Sequence, residues 1–409
     1  MIADATRARR VMLVAVAAGL ILRIAFGLLY WTGKPLTHDE REYLALAHGL
    51  ATGKGLVYDA GLDTGTAQQF GRAPGYPFLL SLLNAGRLDA TSAPPLVQIV
   101  QAAVGAIAVW LIGLLAWRSA GPAAGVAAAI VAAIYPPLVF ISAYVLSESW
   151  FCAMALAAAL VLQLLVDGDG DASGRSWRRA VAFGALAGAG ALVRPAMLFF
   201  LALALLWLLA RRQVRAAAIA ACTCAVVLAP WTVRNFKTYD RFVLIASEGG
   251  VTFWTGNHPL ARGEGDLAAN PALKAADLEF RAAHPDLRSE ALEPLYYADA
   301  LGWIRSHPAS WAGLEARKLF YLVVPVGPSY ALHSARYRAA TTVPYLLVLP
   351  FAVAGALGHR PRQPTAMFLL GGATAIMCLM FFPQERFRIP TIDPMLIVAA
   401  SLLAGRSRS

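Results

Sequence analysis

Charge is scarce in this chain. Asp, Glu, Lys and Arg make up 14% of its 409 residues, whereas 58% are hydrophobic; soluble domains carry about a quarter charged and about half apolar residues. That balance excludes a soluble domain and leaves a polytopic membrane protein. Cysteine is scarcer still. Cys152, Cys222, Cys224 and Cys378 all fall inside apolar stretches, so they make neither a disulfide framework nor a zinc-binding spacing and read as small packing residues. Neither a Gly-x-x-x-x-Gly-Lys-Ser/Thr loop nor a Gly-x-Gly-x-x-Gly turn between strand and helix is present, which removes the usual nucleotide-binding signatures. No internal period is evident. The run Asp167-Gly168-Asp169-Gly170-Asp171 starts like a calcium loop and then fails, with Ala172 in place of the required glycine and Arg178 in place of the bidentate glutamate. It reads as a solvated hairpin.

What the chain has is apolar runs near the roughly 20 residues that a helix needs to cross a bilayer. They cover residues 11–31, 95–116, 122–140, 149–166, 179–193, 196–210, 216–231, 341–357, 366–382 and 390–404. The net charge of +11 is gathered between them: Arg7, Arg9 and Arg10; Arg118; Arg175, Arg178 and Arg179; Arg211, Arg212 and Arg215; His359, Arg360 and Arg362; Arg406 and Arg408. About ten spans with both termini inside put all of these clusters in the cytoplasm, as the positive-inside rule asks. Residues 319–326 are expected to be interfacial or re-entrant, since another span would send the Arg360 cluster outside. The first run is longer than a secretory h-region and reads as a retained anchor. Gly184 and Gly188 form a Gly-x-x-x-Gly pair suited to close helix packing.

The expected architecture is therefore one all-α integral-membrane domain over residues 1–409, with outer loops at 32–94 and 232–319. The first loop continues into a helical stretch at 42–50 and a glycine-rich polar stretch through Gly65. In the second, residues 292–304 are amphipathic, with Leu295, Leu301 and Ile304 able to face one side and Trp303 suited to an interface. Directly after the first span, Thr37-His38-Asp39-Glu40-Arg41-Glu42-Tyr43 places carboxylates where membrane meets water.

Six tags follow one another in order: Asp39-Glu40-x-x-Tyr43, Arg72-Ala73-Pro74-Gly75-Tyr76-Pro77, Arg194-Pro195, Pro230-Trp231-x-x-Arg234-Asn235, Trp254-x-Gly256-Asn257-x-Pro259 and Glu385-Arg386-Phe387-Arg388-Ile389-Pro390. The series, which covers most of the chain, resembles the protein-mannosyltransferase and aminoarabinose-transferase-like (ArnT-like) membrane glycosyltransferases, which have the GT-C fold. The resemblance implies a bacterial inner-membrane enzyme that takes a sugar from a polyprenyl-phosphate donor and passes it to a lipid, glycan or protein acceptor at the periplasmic face. It also implies that Asp39 is the base and that a second acid lies near the outer mouth.

The residues make sense of that chemistry on their own. Displacing a lipid phosphate from an anomeric carbon needs a base for the acceptor hydroxyl and cations for the charge developing on the leaving group. Asp39 suits the first role, with Glu40 beside it to orient acceptor or donor sugar; the plain alternative is that both acids end the first span and face water. Tyr43, one helical turn away, is a candidate to orient a carboxylate or stack on a sugar. His38 is a candidate relay or simply solvated. Glu148, in Tyr144-Val145-Leu146-Ser147-Glu148-Ser149, is the candidate second acid. Arg72, Arg194, Arg234, Arg386 and Arg388 all map to the outer side, against the positive-inside trend, and guanidinium forks bind phosphate bidentately. For Arg386 and Arg388 the competing reading is a loop-fixing ion pair with Glu385. Asn257 and His258 sit in a turn that is a candidate acceptor entrance. Arg23, inside the first span, must face protein or water. No cofactor is required, and a divalent metal on Asp39, Glu40 and Glu148 stays open. A lipid-linked-glycan flippase would share the spans, although inverted repeats are missing; a ligase or polymerase of lipid-linked glycans would share the acid and arginine logic.

Overall fold

The computed structural model describes residues 2–56, 71–86, 89–168, 176–358 and 364–408, and among these every regular element is helical. The glycine-rich stretch at 57–70, Asp169 and Asp171 of the calcium-like tag, Arg175 and the cluster His359, Arg360 and Arg362 lie outside the described residues. The chain begins with α1 (Ile2–Ala25), extended by π-helix over Phe26–Tyr30, and continues through α2 (His38–Ala51) and α3 (Gly75–Leu82). Next come α4 (Pro95–Ala120), α5 (Pro122–Ile134), α6 (Pro136–Phe140), α7 (Glu148–Asp167), α8 (Ser176–Val193), α9 (Met197–Ala210) and α10 (Val214–Tyr239). The second loop holds α11 (Gly249–Gly256), α12 (Pro271–Ala282), α13 (Ser289–Ser306) and α14 (Pro308–Val323). The chain then runs through α15 (Ala335–Gly358), α16 (Thr365–Met380), the single turn α17 (Glu385–Arg388) and α18 (Ile392–Ser401).

Each of the ten apolar runs is helical, but they are not equal. Among the described residues five helices are long and apolar enough to cross a membrane: 5–30, Pro95–Ala120, Glu148–Asp167, Val214–Tyr239 and Ala335–Gly358. The pair formed by α5 and the stretch Pro136–Ala143, which begins with α6, meets that test only jointly and is bent by 61° at its break. Met197–Ala210, Thr365–Met380 and the stretch from Ile392 to Gly405 are apolar but only 10–17 residues long.

The bent pair explains Arg23. Pro136 and Pro137 have no N–H, so the carbonyls of Ala132 and Ala133, four residues earlier, lose their helical donors. An orphaned carbonyl in hydrocarbon is costly. The Arg23 guanidinium, buried on α1, donates from Nη2 to Ala132 (3.1 Å), from Nη1 to Ala133 (3.1 Å) and Gly19 (2.9 Å), and from Nε to Leu138 (3.1 Å). Room for it is made by Gly105, where a Cβ would lie 2.9 Å from Arg23 Nε. The Gly184 and Gly188 pair likewise lets α8 meet α10 closely: a Cβ on Gly188 would come 2.8 Å from Val227 Cβ.

The loop helices dock on the end of α16. Asn257 Nδ2 donates to the Phe253 and Met380 carbonyls (both 2.9 Å), while Lys318 Nζ reaches the Leu379 carbonyl (2.9 Å) and Asn257 Oδ1 (3.0 Å). Two carbonyls at the C-terminus of α16 are thus capped from outside the helix. The next residues, 381–390, carry the last of the ordered tags. The amphipathic face of α13 is offset from expectation: Leu292, Tyr296 and Ala300 are its buried line, Leu295 and Ile304 pack at its edge, and Leu301 is exposed. The reason is that the face must meet Phe253 and Trp254 of α11, not lipid. At 319–326, Leu319, Phe320, Val323 and Val326 are exposed, which suits an interfacial placement.

Candidate active site

The site begins with the N-terminus of α2. Thr37 is its N-cap, with a reciprocal capping box to Glu40: Glu40 Oε2 accepts from Thr37 N–H and from Thr37 Oγ1 (both 2.8 Å). Its other oxygen, Oε1, accepts from the Val145 N–H at 2.8 Å. Glu40, expected to orient a substrate sugar, is buried and both its oxygens have donors: it fixes the first turn of α2 against the 144–147 segment. Thr-x-x-Glu ahead of an apolar helix is the sequence signature of that arrangement. Burial raises the Glu40 pKa, against the hydrogen bonds that favour its charged form.

Asp39, next on the same turn, points elsewhere. Its Oδ1 accepts from Arg72 Nη2 at 2.9 Å and its Oδ2 from Arg386 Nη1. Arg72 Nη2 also meets Glu42 Oε2, and its Nε lies 3.4 Å from Glu248 Oε1. Arg194 Nη1 pairs with Glu148 Oε1 at 2.6 Å and donates to Ser147 Oγ at 3.3 Å. Phe387 lies between the two halves, with the Arg194 guanidinium 5.3 Å and that of Arg386 5.5 Å from its ring centre. Ser147 Oγ is 3.4 Å from the Tyr43 hydroxyl, and Arg72 sits over the Tyr43 ring at 4.9 Å. The contacts close a ring: Asp39, Arg386, Phe387, Arg194, Ser147, Tyr43, Arg72 and back to Asp39. Within it Tyr43 is buried edge-on against Tyr76 at 4.8 Å, so it braces Arg72 and is not a free stacking face.

The electrostatics follow from these pairs. Burial works to raise the Asp39 pKa, but the guanidiniums of Arg386 and Arg72 outweigh it and hold the carboxyl well below the usual range. Glu248 is raised by burial, with Arg72 opposing and Glu42 and Asp39 adding to the shift. His38 donates from Nε2 to Glu42 Oε1 (3.1 Å), and that bond raises its pKa. Glu148 is buried and its Oε2 has no hydrogen-bond partner among the described residues.

Five more expected site residues stand apart from the ring. Arg234 stays on its own helix, bonded to Asn235 Oδ1 (3.2 Å) and the Tyr239 hydroxyl (3.1 Å) and stacked on Trp231. Arg388 is buried, 2.8 Å from Asp393 Oδ1 and over the Tyr345 ring at 3.9 Å; successive helical residues point about 100° apart, so Arg386 and Arg388 cannot face one site from one turn. Asn257 has all its capacity committed to the Phe253 carbonyl, the α16 cap and the Trp311 indole (3.1 Å), and the half-buried His258 ring lies against Trp254 at 4.2 Å. Glu385 faces a small enclosed cavity with Glu264, Tyr330 and Arg388. Burial pushes its carboxyl up to about 7, against Arg388; the ion pairs found in this turn among the described residues are Arg386 with Asp39 and Arg388 with Asp393.

Glu42, Glu248, Ser147 and Phe387 were not evident as site residues from sequence. For Glu42 a signal existed, since it lies one turn from His38 and on the same tag. An open apolar cavity of about 400 Å³ runs between α9 and α10, lined by Leu198, Leu201, Leu228, Val233 and Leu244 among others. Among the described residues no group of three or more His, Cys, Asp or Glu side chains is placed to hold a metal ion; the carboxylates surround guanidiniums instead.

No protein-family model matches the sequence, and no curated protein matches it. Solved structures do match in fold. The archaeal oligosaccharyltransferase AglB from Archaeoglobus fulgidus, in complex with an inhibitory peptide and a dolichol-phosphate, has a TM-score of 0.57 at 16% identity, over 97% of this chain and 50% of that one. The Archaeoglobus fulgidus oligosaccharyltransferase tethered to an acceptor peptide gives 0.58 at 15% identity, over 97% of this chain and 49% of that one. ArnT from Cupriavidus metallidurans bound to undecaprenyl phosphate matches more loosely, with a TM-score of 0.43 at 15% identity, over 96% of this chain and 76% of that one. The chain spans about half the length of the oligosaccharyltransferases it matches. The fold is the GT-C fold expected from the ordered tags.

Proposed function

We propose that this chain is a membrane glycosyltransferase that moves a sugar from a polyprenyl-phosphate-linked donor to an acceptor hydroxyl at the outer face of the membrane. The observation that carries the reading is the ring itself. It joins Asp39 to Arg72 and Arg386, residues separated by 33 and 347 positions in sequence, with Arg194 alongside across the Phe387 ring. One rim thus holds a proton acceptor and guanidiniums for a departing phosphate.

In the proposed step Asp39 takes the acceptor hydroxyl proton and the acceptor oxygen attacks the anomeric carbon. The bond from that carbon to the phosphate oxygen breaks, and polyprenyl phosphate leaves with the electron pair against Arg386, Arg72 and Arg194. Direct displacement inverts the anomeric centre. Glu148 offers its unpartnered Oε2 to a sugar hydroxyl, while Ser147 and Arg194 position it. The open apolar cavity between α9 and α10 suits a prenyl chain, because Leu198 follows Arg194 by one helical turn and Leu244 precedes Glu248 by four residues. Holding both substrates at one interface supplies much of the acceleration.

A second reading is favoured by the fold match with an oligosaccharyltransferase: transfer of a whole lipid-linked glycan by the same acid and arginines. The deciding experiment offers purified wild type and Asp39→Asn a synthetic polyprenyl-phosphate monosaccharide and, separately, a lipid-linked oligosaccharide. The variant is expected to lose transfer by about 10²-fold or more, the scale of a general base. Full transfer by Asp39→Asn removes Asp39 as base, and the donor that is turned over separates the two readings.

A further inference from the structure

Resting on the proposed function, one difficulty in the site points to an additional property. Every guanidinium in the ring already has a carboxylate: Arg72 meets Asp39, Glu42 and Glu248, Arg194 meets Glu148, and Arg386 meets Asp39. Asp39, Glu42, Glu148 and Glu248 outnumber the three arginines, so an incoming phosphate finds a rim without spare positive charge and can bind only by exchange. Asp39 has the complementary problem. A carboxylate clamped at both oxygens by guanidiniums is a poor proton acceptor, since each clamp favours its charged form.

We propose that one exchange resolves both: the donor's phosphate takes Arg386 away from Asp39, and the carboxylate so released becomes the base. Arg386 is the arginine that moves. It holds a single carboxylate where Arg72 holds three, and its side chain is 35% exposed against 17% for Arg72 and 19% for Arg194. Among the described residues its remaining polar contact is to Gln384 Oε1, two residues away at 3.0 Å, so the side chain can turn without breaking a distant tie. Arg72, anchored by Glu42 and Glu248, stays and keeps Asp39 oriented. With Arg386 on phosphate, the burial that already works to raise the proton affinity of Asp39 is opposed by one guanidinium fewer. After transfer, polyprenyl phosphate departs, Arg386 returns to Asp39 and the captured proton is expelled to water. The base is thus available while a donor is bound and locked while none is.

The exchange makes Asp39 a competitor of the phosphate, and that sign can be measured without turnover. Binding of farnesyl phosphate, a short prenyl phosphate without sugar, is measured by calorimetry on the full chain in detergent. Asp39→Asn is expected to bind it about tenfold more tightly than wild type, the scale of one charge-assisted hydrogen bond. In an Arg386→Gln background the same substitution is expected to gain almost nothing, because the competition runs through Arg386. Equal or weaker binding by Asp39→Asn overturns the proposal, since Asp39 would then be holding Arg386 ready for phosphate. Should Asp39→Asn not fold, Arg386→Gln alone serves instead: it is expected to bind farnesyl phosphate about tenfold more weakly than wild type, and equal or tighter binding overturns the exchange. Binding by neither folded wild type nor any variant overturns the donor assignment itself, and the exchange with it.

Discussion

Two arginines in this molecule contrast sharply in what satisfies them. Arg23 lies within the first span and gives its protons to four neutral carbonyls, two of them stranded by Pro136 and Pro137. Arg386 lies at the rim and gives its protons to a carboxylate and to a neighbouring glutamine. Carbonyls in hydrocarbon have no other donor, so Arg23 is fixed. A carboxylate can be traded for another anion, so Arg386 is exchangeable. Arg388 stands between the two: it is ion-paired like Arg386 but buried with Asp393 like Arg23. Chemistry is therefore expected from the arginine that is both anion-paired and reachable.

That contrast can be tested by removing each group in turn. Arg388→Met leaves Asp393 an unpaired buried carboxylate and is expected to lower stability by about 3–5 kcal/mol, read as a fall in Tm in detergent. Arg23→Leu orphans the carbonyls at the α5 break and is expected to lower stability by about 3 kcal/mol, with Arg23→Lys recovering part of it. If Arg23→Leu leaves Tm unchanged, the fixed class does not exist. Glu385→Gln tests the cavity beside Arg388. Its carboxyl is raised from 4.5 to about 7 in the folded chain, so between those values the folded state holds a proton that the unfolded state lacks. Stability is accordingly expected to fall as pH rises from about 4.5 to 7 and to level off above. Glu385→Gln is expected to flatten that slope in pH-dependent unfolding. The smallest stability change belongs to Arg386→Gln, within about 1 kcal/mol for a pair at a partly exposed site, although transfer is expected to fall about 10²-fold. A large loss of Tm in that variant would merge Arg386 with the fixed class.

Much of this was legible in sequence, for reasons that can be named. The apolar runs gave the helices because hydrocarbon leaves the backbone little alternative, and the order of acid and arginine tags gave Asp39, Arg72, Arg194 and Arg386. What did not follow was which acid faces which arginine. Glu40 and Asp39 are adjacent on one turn, yet one caps the helix and the other meets the arginines; the Thr-x-x-Glu spacing already separated them. Arg386 and Arg388 diverge because α17 is a single turn, which no tag specifies. Asn257 looked like a turn residue since its partners, Met380 and Lys318, are 123 and 61 positions away. Arg23 had a legible partner all along in the tandem prolines, but only a helix break shows whose carbonyls they strand.

The distance between Asp39 and Arg386 along the chain has a consequence for biosynthesis. A ribosome feeding this protein into a membrane translates the acid first and its guanidinium partner 347 residues later. Until the hairpin that carries Arg386 has inserted, the earlier helices can pack against one another but hold no closed ring. If the proposed function holds, a product terminated before Arg386 is inert, and maturation turns on whether these two distant tags have met.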